Sequence, residues 1–200
     1  MNYVIASCSE RIAVTGHALM SFVAKNCERL ELLKGAEVEC ASAVEMALIS
    51  EGPDGGPVFR HPKAPFIQAQ LIEISLVGGR LASFSTYQNG YTWGIAMDYR
   101  DAPSVDRLLE SWVRGNTEPP IFRKVPDLDF PIGVIANVGV AFDDKKDITE
   151  IILTIGNHNV LMKAGEAHET SATEFLLYSQ EESILLFQDP DDVKRVAFDR

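Results

Sequence analysis

Histidine and cysteine are scarce in this chain, which limits the chemistry that its side chains could support. The 200 residues include four histidines and three cysteines, Cys8, Cys27 and Cys40. The cysteines have no Cys-x-x-Cys spacing, and the arrangement of Cys8, His17 and Cys27 is not a standard zinc spacing. An odd number of thiols without such a pattern is typical of proteins from reducing compartments. The sequence therefore predicts a cytoplasmic protein with no metal ion and no cofactor.

Long apolar runs and catalytic motifs are also absent. No stretch approaches the roughly 20 apolar residues that cross a bilayer, and residues 1–16 lack the basic start of a secretory leader. The glycines within 52–56 match neither a Walker A loop nor a dinucleotide-binding fingerprint. No Gly-x-Ser-x-Gly elbow occurs, and Cys8 lacks the flanking residues of a known nucleophile. We therefore predict no membrane partner and no catalytic residue, and a non-enzyme is the favoured interpretation.

Basic residues are in deficit, and the deficit is uneven along the chain. There are 18 Lys and Arg against 29 Asp and Glu, which gives a net charge of −11. Residues 1–100 carry 10 acidic and 8 basic side chains, whereas residues 101–200 carry 19 acidic and 10 basic ones. An acidic surface repels nucleic acid phosphates and attracts basic proteins. The charge therefore predicts a basic protein partner and no nucleic acid, with the binding surface in the second half.

The apolar residues near the start of the chain have helical spacing. One stripe at 3.6-residue spacing consists of Ile12, Leu19, Phe22, Val23, Leu30 and Leu33. A second helix is predicted over 41–49, with Val44, Ala47 and Leu48 on one face. Polar and apolar residues alternate in 37–40, so a strand is an alternative for this short stretch. The segment 51–65 is rich in proline and glycine and is predicted to be a loop.

The middle of the chain reads as an antiparallel β-meander followed by a helix. Strands are predicted at 67–77, 80–86 and 91–99. The turns between them are Gly78-Gly79 and Asn89-Gly90, and the second dipeptide is a strong signal for a tight type I′ hairpin. The following helix, 104–115, has an apolar face that includes Trp112, which we predict to be largely buried.

A second meander is predicted after the proline-rich connection 116–131. Its strands are expected at 134–142, 148–155, 160–164, 174–178 and 183–187. A short helix then closes the chain, with Asp189 as its cap and Pro190 at its first position. The predicted fold class is α+β, a helical N-terminal segment followed by two antiparallel meanders, each with a following helix. The predicted domains are 1–115 and 116–200, or one compact domain containing both.

The acidic side chains of the second half are predicted to meet at one end of its sheet. In an antiparallel meander alternate turns share an end, so the turn 143–147 and the loop 165–173 should lie together. The predicted partner-binding residues are Asp143, Asp144, Asp147, Glu166 and Glu169. A calcium loop starting at Asp143 is excluded because its required glycine position is Ile148. The alternative is that these residues simply populate solvated turns.

Two functional hypotheses follow. The first is a cytoplasmic protein-interaction module with an acidic binding face, and an immunity-type protein that neutralises a basic toxin is its specific form. The alternative is a small hydrolase or ligand-binding protein whose pocket lies between the sheet and the N-terminal helices. Tyr91 and Trp93 share one strand face, and the sequence leaves open whether they belong to the core or to a binding site.

Overall fold

The computed structural model describes residues 17–100 and 121–199, with side chains of the first helix from Phe22 onward. These residues contain the α-helix α1 (His17–Glu31), a 3-10 helix (Pro190–Arg195) and ten β-strands. The strands are β1 (Glu37–Met46), β2 (Ile67–Leu76), β3 (Arg80–Asn89), β4 (Thr92–Arg100), β5 (Phe122–Val125), β6 (Gly133–Phe142), β7 (Ile148–Ile155), β8 (His158–Ser171), β9 (Glu174–Phe187) and β10 (Phe198–Asp199). None of the described helices is long and apolar enough to cross a membrane.

All the strands belong to one mixed sheet. The strand order is β10-β9-β8-β7-β6-β1-β2-β3-β4, and β5 pairs with β1 beside β6. The pairs are antiparallel except for β10, which lies parallel to β9. The start of β2 also pairs with the end of β9, where Ile67 lies opposite Leu186. The strands β1, β2, β9, β8, β7 and β6 therefore form a closed ring, and strands from both halves of the chain contribute to it.

The main core fills the space between this ring, the β3–β4 hairpin and helix α1. Leu30 of α1 and Leu33, which follows the helix, are buried in the main cluster together with Phe84 of β3 and Ile95 of β4. Burial of one such side chain contributes about 1.5–3 kcal/mol to stability. A second cluster lies around β8 and β9 and is covered by residues that follow β9, including Val193 and Phe198. Both clusters depend on contacts between segments that are distant in sequence.

The predicted α+β fold is wrong, because the described chain is mostly β and forms one sheet. Residues 41–46, predicted as the start of a second helix, belong to strand β1. This strand has neighbours on both sides, and Ala43, Val44 and Glu45 are buried in succession. A strand covered on both faces loses the simple alternation of apolar and polar residues. Its apolar residues therefore resembled one face of a helix.

The second meander has one strand fewer than predicted. The expected strands 174–178 and 183–187 are the two ends of β9, and 160–164 is part of the long strand β8. Gln180 has a positive φ of 61°, and the pairing register shifts between Ala164 and Gly165. The polar residues 179–182 have the composition of a turn, and the sequence therefore predicted two strands where the structure has one. Because the turn is absent, Asp189 leaves β9 at the end opposite the β8–β9 turn.

The closing helix is a single 3-10 segment. The predicted cap is confirmed, since the Asp189 side chain accepts a hydrogen bond from the Asp191 backbone N–H and Pro190 opens the helix. The predicted helix 104–115, with Trp112, lies outside the described residues. Residues 116–120 of the predicted connection also lie outside them.

The predicted hairpin at Asn89 is confirmed, but its turn lies one residue further along. Asn89 pairs with Thr92, so Gly90 and Tyr91 are the central turn residues. Gly90 has a φ of 66°, and a glycine at the first central position suits a type II′ turn, not the predicted type I′. The shift places Tyr91 at the tip, where it is 99% exposed.

Candidate interaction surface

The β6–β7 turn (143–147) is fixed against the β3–β4 hairpin by a buried carboxylate. Asp147 is 0% exposed. The Tyr87 hydroxyl donates a 2.8 Å hydrogen bond to its Oδ1, and the Asn89 amide donates a 2.7 Å bond to its Oδ2. Lys145 Nζ also lies 3.3 Å from Thr92 Oγ1. These contacts join two turns that are remote in sequence.

Asp143 connects the same turn to strand β9. Its Oδ1 accepts a 2.8 Å hydrogen bond from the backbone N–H of Asp147, which closes the turn. Its Oδ2 accepts a 2.9 Å bond from Gln180 Nε2 in the irregular middle of β9. The turn is therefore held from two sides, and Asp144 at its tip remains exposed.

The electrostatics around Asp147 keep its tyrosine partner protonated. Burial raises the pKa of the Tyr87 hydroxyl far above its ordinary value. The hydrogen bond to Asp147 and the negative charge of that carboxylate raise the pKa further, because a phenolate would face an anion. Tyr87 therefore acts as a permanent hydrogen-bond donor to Asp147.

Glu166 on β8 lies close to two acidic residues of β9, Glu181 and Glu182. Its carboxylate is half-buried and accepts a 3.4 Å hydrogen bond from Ser183 Oγ. Burial raises the pKa of Glu166, and the nearby charges of Glu182 and Glu181 raise it further, whereas His168 opposes them. This carboxylate is therefore held in a site where negative charges repel one another.

We define the acidic surface as the carboxylates around the middle of β9. Its members are Asp143, Asp144, Glu166, Glu181 and Glu182. Asp144 and Glu182 are exposed, and the other members are partly buried. Within residues 17–100 and 121–199, no group of three or more His, Cys, Asp or Glu side chains could hold a metal ion.

The five predicted partner-binding residues have different environments. Asp143, Asp144 and Glu166 lie on the acidic surface, while Asp147 lies beneath it as an internal hydrogen-bond acceptor. Glu169 lies elsewhere, where it accepts hydrogen bonds of 2.8 and 2.5 Å from the backbone N–H and hydroxyl of Ser50. These bonds lower the pKa of Glu169.

Glu181 and Glu182 are not among the predicted partner-binding residues. They fall between two predicted strands that form one strand in the structure. Their position directly before the run 183–187, which is buried in the structure, was the available signal.

The described contact between α1 and the sheet consists of packed side chains. Asn26 is buried, and its amide spans two backbone groups of β4. Its Nδ2 donates to the Ile95 carbonyl at 2.8 Å, and its Oδ1 accepts from the Met97 N–H at 2.8 Å. The amide thus makes the two backbone hydrogen bonds that a neighbouring strand would otherwise make with this part of β4. No observation in this part of the chain favours a ligand pocket between helix and sheet.

The other candidate side chains are dispersed. Cys27 is buried and Cys40 exposed, and these two cysteines form no disulfide with another described residue. His158 and His168 lie at separate places along β8. Tyr91 is fully exposed, whereas Trp93 is partly buried.

A second charged cluster was not predicted from the sequence. Glu45 on β1 is 0% exposed and contacts two arginines, with Arg60 Nη1 2.5 Å from Oε1 and Arg123 Nε 2.7 Å from Oε2. The Arg60 contact is an ion pair without hydrogen-bond alignment. The Arg123 guanidinium also lies 4.2 Å from the centre of the Phe59 ring. Arg60 lies in the 51–65 loop and Arg123 on β5, so only the fold brings them to Glu45.

Comparison with known proteins does not assign the chain to a family. No protein-family model, no curated protein and no solved structure matches it. The class of protein is therefore given by the fold alone, a mostly β protein built on one sheet with a closed ring of strands. Its function has to be argued from its surfaces.

Proposed function

We propose that this protein is a protein-interaction module whose acidic surface binds a basic protein partner. The observation that carries the proposal is the crowding of Glu166, Glu181 and Glu182, where burial and like charges raise the pKa of Glu166. A cationic side chain placed there would relieve the repulsion and favour the ionised form of Glu166. Binding of a basic partner would therefore lower the pKa of Glu166.

The fixed geometry of the neighbouring turn supports the proposal. Asp143 and Asp147 hold the turn through hydrogen bonds to Gln180, Tyr87 and Asn89. A surface that is already ordered loses little conformational entropy on binding. Asp144 is thereby offered to a partner at a defined position, and its charge would also accelerate the encounter.

The specific form of the proposal is an immunity-type protein that neutralises a basic toxin. The net charge of −11 favours a basic target over a nucleic acid. Cys27 and Cys40 form no disulfide within the described residues, which suits a reducing compartment, and we therefore propose that the protein acts in the cytoplasm.

The test compares two variants that carry the same change in net charge. The partner is first captured from source cells on the immobilised protein and purified. Association rates are then measured from low to high salt for wild type and for the triple variant Asp144→Asn/Glu181→Gln/Glu182→Gln. We expect wild-type association to slow with salt and the triple variant to associate at least about tenfold more slowly at low salt, because steering is lost.

The matched control is the triple variant Glu28→Gln/Glu37→Gln/Glu39→Gln. These three side chains are exposed and lie on α1 and β1, away from the acidic surface. The control should associate nearly as fast as wild type. Equal rates for the two triple variants at every salt concentration would refute the proposal, as would a captured partner that is itself acidic.

A further inference from the structure

The cluster around Glu45 has more positive than negative charge and open hydrogen-bonding capacity. One buried carboxylate faces two guanidinium groups, so the cluster has a net charge of about +1. The side chains of Arg60 and Arg123 remain 48% and 46% exposed. Each guanidinium has five N–H donors, and Glu45 takes up only one edge of each. In the described part of the chain, their other N–H groups have no hydrogen-bond partner.

Glu45 makes the two guanidinium groups converge. Arg60 contacts one carboxylate oxygen and Arg123 the other, so both groups are anchored to the same rigid point on β1. The Phe59 ring supports the Arg123 guanidinium on one side. Each guanidinium is a planar fork whose N–H groups match the oxygen atoms of a carboxylate or phosphate group.

The overall negative charge of the protein does not prevent anion binding at this point. Charges farther away than about 8 Å are largely screened at physiological ionic strength. The local field is therefore set by the cluster itself, where the arginines outnumber the carboxylate.

We propose that Arg60 and Arg123 form a binding site for a small oxyanion, a phosphate or carboxylate group, with Glu45 as the positioning residue that holds them together. The oxyanion would accept hydrogen bonds from the outward edges of both guanidinium groups while Glu45 keeps the inner edges. This site is separate from the acidic surface and does not depend on its proposed partner.

The experiment titrates the folded protein with inorganic phosphate and, separately, with acetate, and follows the backbone amides by two-dimensional NMR. Sodium chloride keeps the ionic strength constant. We expect saturable shifts centred on residues 59–61 and 122–124 with at least one of the two oxyanions. The Arg60→Gln and Arg123→Gln variants should bind at least about tenfold more weakly, because each loses charge-assisted hydrogen bonds. Arg29→Gln is the matched control, since Arg29 pairs with the exposed Asp98 and is 42% exposed, and it should bind as wild type does.

Glu45→Gln tests the positioning role of Glu45. The neutral amide cannot hold two cations as the carboxylate does, so the two guanidinium groups should lose their common anchor and oxyanion binding should weaken several-fold. Unchanged or tighter binding would overturn the positioning role. Arg60→Lys and Arg123→Lys keep an ammonium partner for Glu45 and protect the fold, but they lack the planar fork and should still weaken binding. Shifts that do not saturate, that are equally large with chloride, or that persist in both arginine-to-glutamine variants would overturn the proposal.

Discussion

Glu45 and Asp147 are both fully buried carboxylates of the described chain, and they are stabilised in different ways. Glu45 on β1 lies between two arginines, whereas Asp147 beside β7 is held by the neutral donors of Tyr87 and Asn89. Both arrangements connect segments that are distant in sequence. Glu45 joins the 51–65 loop to β5, and Asp147 joins the β6–β7 turn to the β3–β4 hairpin.

The difference determines how each site should respond to substitution. An ion pair that loses its cations leaves an uncompensated buried charge, which is among the most destabilising changes in a protein interior. A carboxylate with neutral donors loses hydrogen bonds instead, and each bond to a charged group contributes about 1.5–3 kcal/mol. The Glu45 site should therefore be more sensitive to loss of its partners than the Asp147 site.

The largest effect is expected when both partners of Glu45 are removed. The double variant Arg60→Gln/Arg123→Gln should lower the free energy of unfolding by about 3–5 kcal/mol, because the buried carboxylate keeps no cation. Urea unfolding followed by circular dichroism measures the change. Adding Glu45→Met to this double variant should restore most of the lost stability, because the buried charge is then gone. A double variant as stable as wild type would show that water already compensates Glu45.

A smaller loss is expected at Asp147. The substitution Asp147→Asn puts an amide where two donors converge, and it should destabilise the protein by about 2–3 kcal/mol in the same unfolding assay. Tyr87→Phe removes one donor and should have roughly half that effect.

The control for Asp147 is its exposed neighbour Asp144. The Asp144→Asn substitution has the same chemistry on the surface and should change stability by less than about 0.5 kcal/mol. Similar losses of stability at both positions would contradict the conclusion that the hydrogen bonds of Asp147 join the two turns.

The smallest effect concerns Glu166, a half-buried carboxylate that has a hydroxyl partner and acidic neighbours. Its pKa is raised in the folded protein, so the stability it contributes is present at low pH and lost as pH rises through the raised pKa. The Glu166→Gln variant has no carboxyl group at this position, so its stability does not fall in this way as the pH rises. It should equal wild type near pH 4 and exceed it by less than about 1 kcal/mol at pH 7, because solvent screens a half-buried group.

Unfolding curves of both proteins across this pH range provide the measurement. A variant that becomes relatively less stable as pH rises would contradict the raised pKa. If the acidic surface also binds a partner, the same substitution should weaken that association while it stabilises the fold.

Local sequence patterns predicted the elements whose environment is simple. The strands β2, β3, β4, β6 and β7 were found because a glycine turn or regular alternation marks each of them. The cap at Asp189 and the hairpin at Asn89 follow equally from short-range chemistry. These signals operate over a few residues and need no knowledge of the fold.

The errors arose where distant segments decide the structure. Residues 41–46 of strand β1 looked helical because side chains on both faces of this part are buried, which the sequence of β1 cannot reveal. Asp147 was assigned to the surface because aspartate in a turn is ordinarily solvated, and its partners Tyr87 and Asn89 lie on another hairpin. The pairing of Glu45 with Arg60 and Arg123 has no local signature at all.

The pairing of β2 with β9 has a consequence for how the chain folds during synthesis. Residues 67–69 of β2 find their partners at residues 184–186 of β9, so a nascent chain exposes that backbone edge until residues 184–186 have also left the ribosome. Contacts between such distant residues also make folding slow. Unpaired strand edges are templates for aggregation, and a fragment that stops before residue 184 should therefore aggregate or bind chaperones. A chain that includes residues 184–186 no longer exposes this edge once β9 has paired with β2.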